Sequence, residues 1–152
     1  MNEIVVGVDL SWSARSAVMW AAEQARATAR TLRAINAVDI SPAFNMELGM
    51  GAVAKPMDPS AIDTAYREAV TAVFDSVHPE SGWRLQFFSG EPGPVLVAES
   101  SAAALLVVGT KERAGVTRLI SGSVSHYCLS HAPCPVVAVP AVPDHGSGQD
   151  RS

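Results

Sequence analysis

The sequence predicts an α/β fold: an open five-stranded parallel sheet of order 3-2-1-4-5 with helices on both faces, Rossmann-like. Three observations support the parallel sheet. Five apolar runs of strand length alternate with four segments of helical periodicity. The runs read as strands covered on both faces, the habit of parallel sheets. A chain of 152 residues, 48% hydrophobic and 17% charged, suits one folded domain with a sizeable core rather than a disordered segment.

The elements follow in order. Residues 3–9, EIVVGVD, are the first strand. From Ser13 to Thr28 apolar residues recur at Ala14, Ala17, Val18, Ala21 and Ala25, one face of a helix, with Ser11 or Ser13 placed to cap its start. TLRAINAVD, residues 31–39, is the second strand. Residues 40–57 then make a connection too long for an ordinary loop, rich in Met, Gly and Pro, with Phe44, Met46, Met50 and Met57 among its apolar members. Ser60 to Val77 is helical through Ile62, Ala65, Ala69, Val70 and Val73, and Pro79 marks its end.

WRLQFFS, residues 83–89, alternates as the third strand. Pro92 or Pro94 opens a short helix to Ser101, and AALLVVG, residues 103–109, is the fourth strand. A helix from Ser123 to His131 leads through Pro133 and Pro135 to the fifth strand, VVAVP, residues 136–140. The polar, glycine-rich stretch 141–152 reads as a loose tail, which leaves 1–140 as the single domain.

Charge and composition narrow the partners. A net charge of -4 without a dense Lys/Arg run argues against nucleic acid. No apolar run approaches the roughly 20 residues that span a bilayer, so no membrane partner is expected. The Met-Asn-Glu start runs into a strand pattern without a signal peptide's basic and apolar regions, so a reducing cytoplasm is expected. Cys128 and Cys134 are then free, small apolar groups.

In sheets of this order a ligand sits beyond the carboxyl ends of the strands, where the winding reverses between strands one and four. Those strands end at Asp9 and Gly109. Beyond Gly109 comes a charged loop with Lys111, Glu112 and Arg113, and then Gly122-Ser123-Val124-Ser125 opens a helix. The first amides of a helix lack intrahelical partners and carry partial positive charge, which suits phosphate. Gly122 admits close approach, while Ser123 and Ser125 add hydroxyl donors. The same residues also make a plain capped helix start, and the pattern alone leaves both readings open.

Asp9 is placed to accept hydrogen bonds from a ribose or an exocyclic amine, or simply to cap the turn after it. Lys111 and Arg113 can neutralise phosphate. There is no P-loop and no nucleophile elbow after a strand, and Gly49-Met50-Gly51 lies in the long connection. His78, His126, His131 and His145 lack metal spacing, so neither a catalytic nor a metal-binding residue is assigned.

These residues carry a resemblance. Over residues 2–140 the chain resembles the universal stress protein family. VVGVDLSWSARSAVMWA looks like that family's opening strand, acidic residue and first helix; LLVVGT followed by GSVSHYCLSHAPCPVVAVP is similar to its closing half. ATP-binding members carry a glycine, two residues, a glycine, nine residues and then Gly-Ser or Gly-Thr. Gly109 matches the first glycine and Gly122-Ser123 the final pair at the correct spacing, but Glu112 stands where the middle glycine belongs.

The resemblance further implies that Val8 and Asp9 lie near the adenosine, that Ala37 flanks adenine, and that Val124 and Ser125 follow the phosphate turn. It implies binding of ATP, or of AMP or ADP, with Mg2+ accompanying ATP, in a regulatory homodimer that pairs through the last strand at Val136, Val137 and Val139. Members are not in general efficient enzymes; weak ATP hydrolysis is the most the resemblance offers. The alternative within the family is a member that has lost the nucleotide and acts as a dimeric interaction module.

Overall fold

The computed structural model describes residues 2–39, 59–110 and 123–141. They form β1 (Glu3–Gly7), α1 (Trp12–Thr28), β2 (Thr31–Val38), α2 (Pro59–Asp75), β3 (Arg84–Ser89), α3 (Pro92–Glu99), β4 (Leu105–Thr110), α4 (Ser123–His131) and β5 (Val136–Pro140). The strands pair in parallel in the order β3-β2-β1-β4-β5. That is the expected order.

The differences lie at element ends. β1 stops at Gly7 rather than Asp9, because the chain turns there: the Asp9 carboxylate accepts the Ser11 N–H at 2.7 Å. α2 stops at Asp75, and the chain leaves it through His78 at φ 51°. The long connection, residues 40–58, lies outside the described residues, as does the tail beyond Ala141.

Alternating residues of the central strands feed two cores. Ile4, Val6, Leu32, Ala34 and Val107 pack against α1 and α2, where Ala17, Val18, Ala21, Val70 and Phe74 meet them. Val5, Ile35, Leu106 and Val108 face α3 and α4 through Leu96 and Cys128. Each fully buried Val, Ile or Leu contributes roughly 1.5–3 kcal/mol of transfer free energy, which explains why the runs are apolar throughout.

α1 is set close to the sheet by its composition. Its buried face is Ala14, Ala17, Val18, Ala21, Ala22 and Ala25, so its backbone can approach β4. The approach is tightest at Gly109, where a Cβ would stand 2.5 Å from the Ser13 carbonyl carbon and 2.8 Å from the Ala14 nitrogen. Ser11 caps the helix, its hydroxyl accepting the Ala14 N–H at 3.2 Å.

Arginines fix the frame away from the carboxyl edge of the sheet. Arg33 pairs with Glu3 at 3.0 Å and Glu99 at 2.7 Å, and donates to the Glu99 carbonyl at the end of α3. Arg26 donates to the carbonyls of Val77 and His78 just past α2, at 2.6 and 2.9 Å, and lies over the Trp83 ring.

Candidate functional site

The carboxyl ends of β1 and β4 flank an open cleft of about 100 Å³. Its floor is apolar, formed by Ile35, Leu96 and Val108 beneath Gly7. Its rim carries Asp9, Ser11 and Ser13 on the β1–α1 side and Ser123, Val124 and Ser125 on the α4 side. Among the residues singled out from sequence, Val8, Asp9, Ala37, Gly109, Ser123, Val124 and Ser125 all line it. Lys111, Glu112, Arg113 and Gly122 lie outside the described residues.

Three helices begin at this cleft. α1 contributes Ser13 and Ala14, α3 contributes Pro92, and α4 contributes Ser123 to Ser125. Their positive dipole ends therefore converge on one space and favour an anion within it. They differ in the donors they can offer. At α1 the Ser11 N–H is taken by Asp9 and the Ala14 N–H by the Ser11 hydroxyl. α3 opens with Pro92 and Pro94, which have no N–H, with Gly93 between them. The sequence around α4 puts two serines, Ser123 and Ser125, in its first turn, and both line the cleft.

Asp9 serves the turn and the rim together, since its Oδ1 holds the Ser11 amide while the residue lines the cleft. Its negative charge suits the donor-bearing, uncharged end of a ligand and repels the anionic end.

Not read from sequence was the other half of the lining: Gly7 at the end of β1, Ser11 capping α1 with Ser13 and Ala14 inside it, Pro92 and Leu96 from α3, and Ile35 and Val108. Also missed was a polar pair behind the rim. Asn36, 2% exposed, donates from Nδ2 to the Val8 carbonyl at 2.9 Å and to the Tyr66 hydroxyl at 2.8 Å. Burial pushes the Tyr66 phenol above its ordinary value, the Asn36 hydrogen bond pulls it back in part, and the Asp9 charge pushes it up again. The phenol therefore stays neutral at ordinary pH. The signal for this pair was in the sequence, as a lone asparagine inside the apolar run AINAV.

Residues 1–140 match the model of the Universal stress protein family. Solved structures agree in fold. A universal stress protein from Archaeoglobus fulgidus aligns at TM-score 0.65 and 21% identity, over 91% of this chain and 93% of its own. A universal stress protein in complex with cAMP aligns at TM-score 0.60 and 23% identity, over 93% of this chain and 98% of its own. One from Archaeoglobus fulgidus in complex with dAMP aligns at TM-score 0.60 and 19% identity, covering 91% and 98%. Among the described residues no helix is long and apolar enough to cross a membrane.

Proposed function

We propose that this chain, which belongs to the universal stress protein family, binds an adenine nucleotide in the cleft between the ends of β1 and β4 and acts by binding rather than by turnover. The observation that carries this reading is the convergence of three helix N-termini on a cleft with an apolar floor and one carboxylate at its far rim. Such a space suits a molecule with a flat apolar part, donors at one end and negative charge at the other. Relatives of the same fold bound to cAMP and dAMP support the adenine nucleotide as that molecule. ATP is the first candidate, with AMP and ADP as the shorter alternatives.

The cleft is smaller than the ~300–1,000 Å³ of typical small-molecule pockets. The nucleotide therefore seats its base against Ile35, Ala37, Leu96 and Val108 and runs along the rim. Asp9 accepts from the ribose or the exocyclic amine. The phosphates reach the start of α4, where Gly122, Ser123, Val124 and Ser125 receive them, with Lys111 and Arg113 as counter-charges and Gly109 setting the approach of α1. Mg2+ enters with ATP as the counterion of its phosphates.

The domain is residues 1–140, placed in the cytoplasm and paired as a homodimer through β5. Val136 and Val137 are half-buried and Val139 is buried, an apolar edge that pairing would protect. A second reading, a dimeric module that has lost the nucleotide, is favoured by Glu112 in place of the middle glycine. Nucleotide carried through purification decides between them. After denaturation, the first reading expects an adenine absorbance and a nucleotide mass near stoichiometry, or saturable binding of added ATP or AMP. Neither, at millimolar nucleotide, sinks it.

A further inference from the structure

Asn36 sits on β2 between Ile35 and Ala37, both of which line the cleft. Neighbouring residues of a strand point to opposite faces, so Asn36 points away from the cleft toward α2. It is 2% exposed in a core otherwise built of Val, Ala, Ile, Leu and Phe. A polar group there costs stability unless its hydrogen bonds are made, and here both hydrogens of the amide are used. One goes to the Val8 carbonyl at 2.9 Å and the other to the Tyr66 hydroxyl at 2.8 Å. A carbonyl only accepts, so the nitrogen must face Val8, and the amide orientation is fixed.

Val8 is the residue through which this bond reaches the site. The β1–β2 ladder ends at Gly7 opposite Ile35. Val8 donates its N–H to the Ile35 carbonyl at 2.9 Å, and the Asn36 side chain holds its carbonyl, so pairing extends one residue past the ladder. The next residue is Asp9, whose carboxylate holds the Ser11 amide at the start of α1. An unbroken chain of bonds thus runs from Tyr66 on α2 through Asn36, Val8 and Asp9 to the rim.

We propose that Asn36 and Tyr66 are positioning residues for the cleft: from the opposite face of the sheet they fix the Val8 carbonyl and so the rim that presents Asp9, tying the cleft's ligand to the seating of α2. The ligand half of this statement rests on the nucleotide reading; the positioning half does not. The control is Val70→Ala, a fully buried α2 residue in the same core, whose loss weakens packing without touching the chain of bonds.

The test has two readouts on the full chain. In the ligand-free protein, hydrogen exchange at the Ser11 amide reports the rim. Losing one or two such bonds quickens it about threefold in Tyr66→Phe and about tenfold in Asn36→Ala, while Val70→Ala stays within about twofold. The double variant matches Asn36→Ala alone, because both residues act through one bond to Val8. The AMP dissociation constant rises in the same ranking. Equal effects from Val70→Ala, or simple additivity in the double variant, overturn the proposal. If the parent binds neither AMP nor ATP, the nucleotide reading fails and Ser11 exchange alone decides the positioning role. If Asn36→Ala does not fold, Tyr66→Phe against Val70→Ala decides it.

Discussion

Replacing Gly109 by alanine puts a methyl group into the backbone of α1. The added Cβ would stand 2.5 Å from the Ser13 carbonyl carbon and 2.6 Å from its oxygen, where ordinary contact begins at 3.4 Å. Relief requires β4 and α1 to part by about 1 Å, and no rotamer change can supply it, because the obstacle is backbone. Overpacking of this kind costs about 1–3 kcal/mol or more, and the alanine recovers about 0.5–1 kcal/mol of glycine's chain entropy.

A net loss of about 1 kcal/mol is expected, which for a chain of this length lowers Tm by roughly 2–4 °C. Gly7→Ala is the control, since its Cβ would meet the Leu96 Cδ1 at 2.9 Å, the end of a side chain that can turn away. It should lose clearly less. Urea melts of both variants measure the difference. Nucleotide affinity should fall with Gly109→Ala, because Ser13 and Ala14 line the cleft. If Gly109→Ala is no less stable than Gly7→Ala, the close contact of α1 with β4 is not what glycine serves there.

Three other outcomes are expected. Burial, and then neighbouring Cys134, pushes the Cys128 thiol up to about 11 from an ordinary 9.0. Its folded pKa is raised, so its contribution is complete below pH 9 and is lost as pH rises toward 11. That loss is at most roughly 2–3 kcal/mol, and Cys128→Ala should flatten stability against pH in that window; an unchanged slope refutes it. Val137→Lys should weaken the proposed β5 pairing in analytical ultracentrifugation, with folding checked by circular dichroism because Val137 also packs against the α1 core, and a parent already monomeric at micromolar concentration ends the β5 pairing model. Glu112→Gly should tighten ATP more than AMP in isothermal titration. A charge at about 6 Å is worth between about 0.7 kcal/mol in water and about 3 kcal/mol at an effective dielectric of 20. Glu112→Gln recovers only that electrostatic part, and equal gains for both nucleotides mean Glu112 does not face the phosphates.

That the strands form a parallel sheet was legible because apolar runs such as EIVV and LLVV leave little alternative to strands buried on both faces. Their order came with the family resemblance, and the cleft's position follows from that order. Asp9 and Gly109 at the strand ends and the helix start Ser123 to Ser125 could be read from strand ends and spacing, and Val8 and Ala37 from the family resemblance. What escaped was set by neighbours across the sheet. Leu96 reaches the floor because Gly7 has no side chain to exclude it, and α3 seats against α4 because Gly93 lies under the Tyr127 ring. Periodicity says which face of a helix is buried, not which residues it will meet. Asn36 was the exception, a polar residue in an apolar strand whose need for partners could have been stated in advance.

The measurement that bears most directly on the central claim is a two-dimensional amide NMR titration of the full chain with AMP and then ATP. Saturable shifts are expected at Asp9, Ser13, Ala37 and Ser123 to Ser125, with the α4 amides moving further for ATP than for AMP. Shifts gathered on another surface, or none with either nucleotide at millimolar concentration, would contradict it.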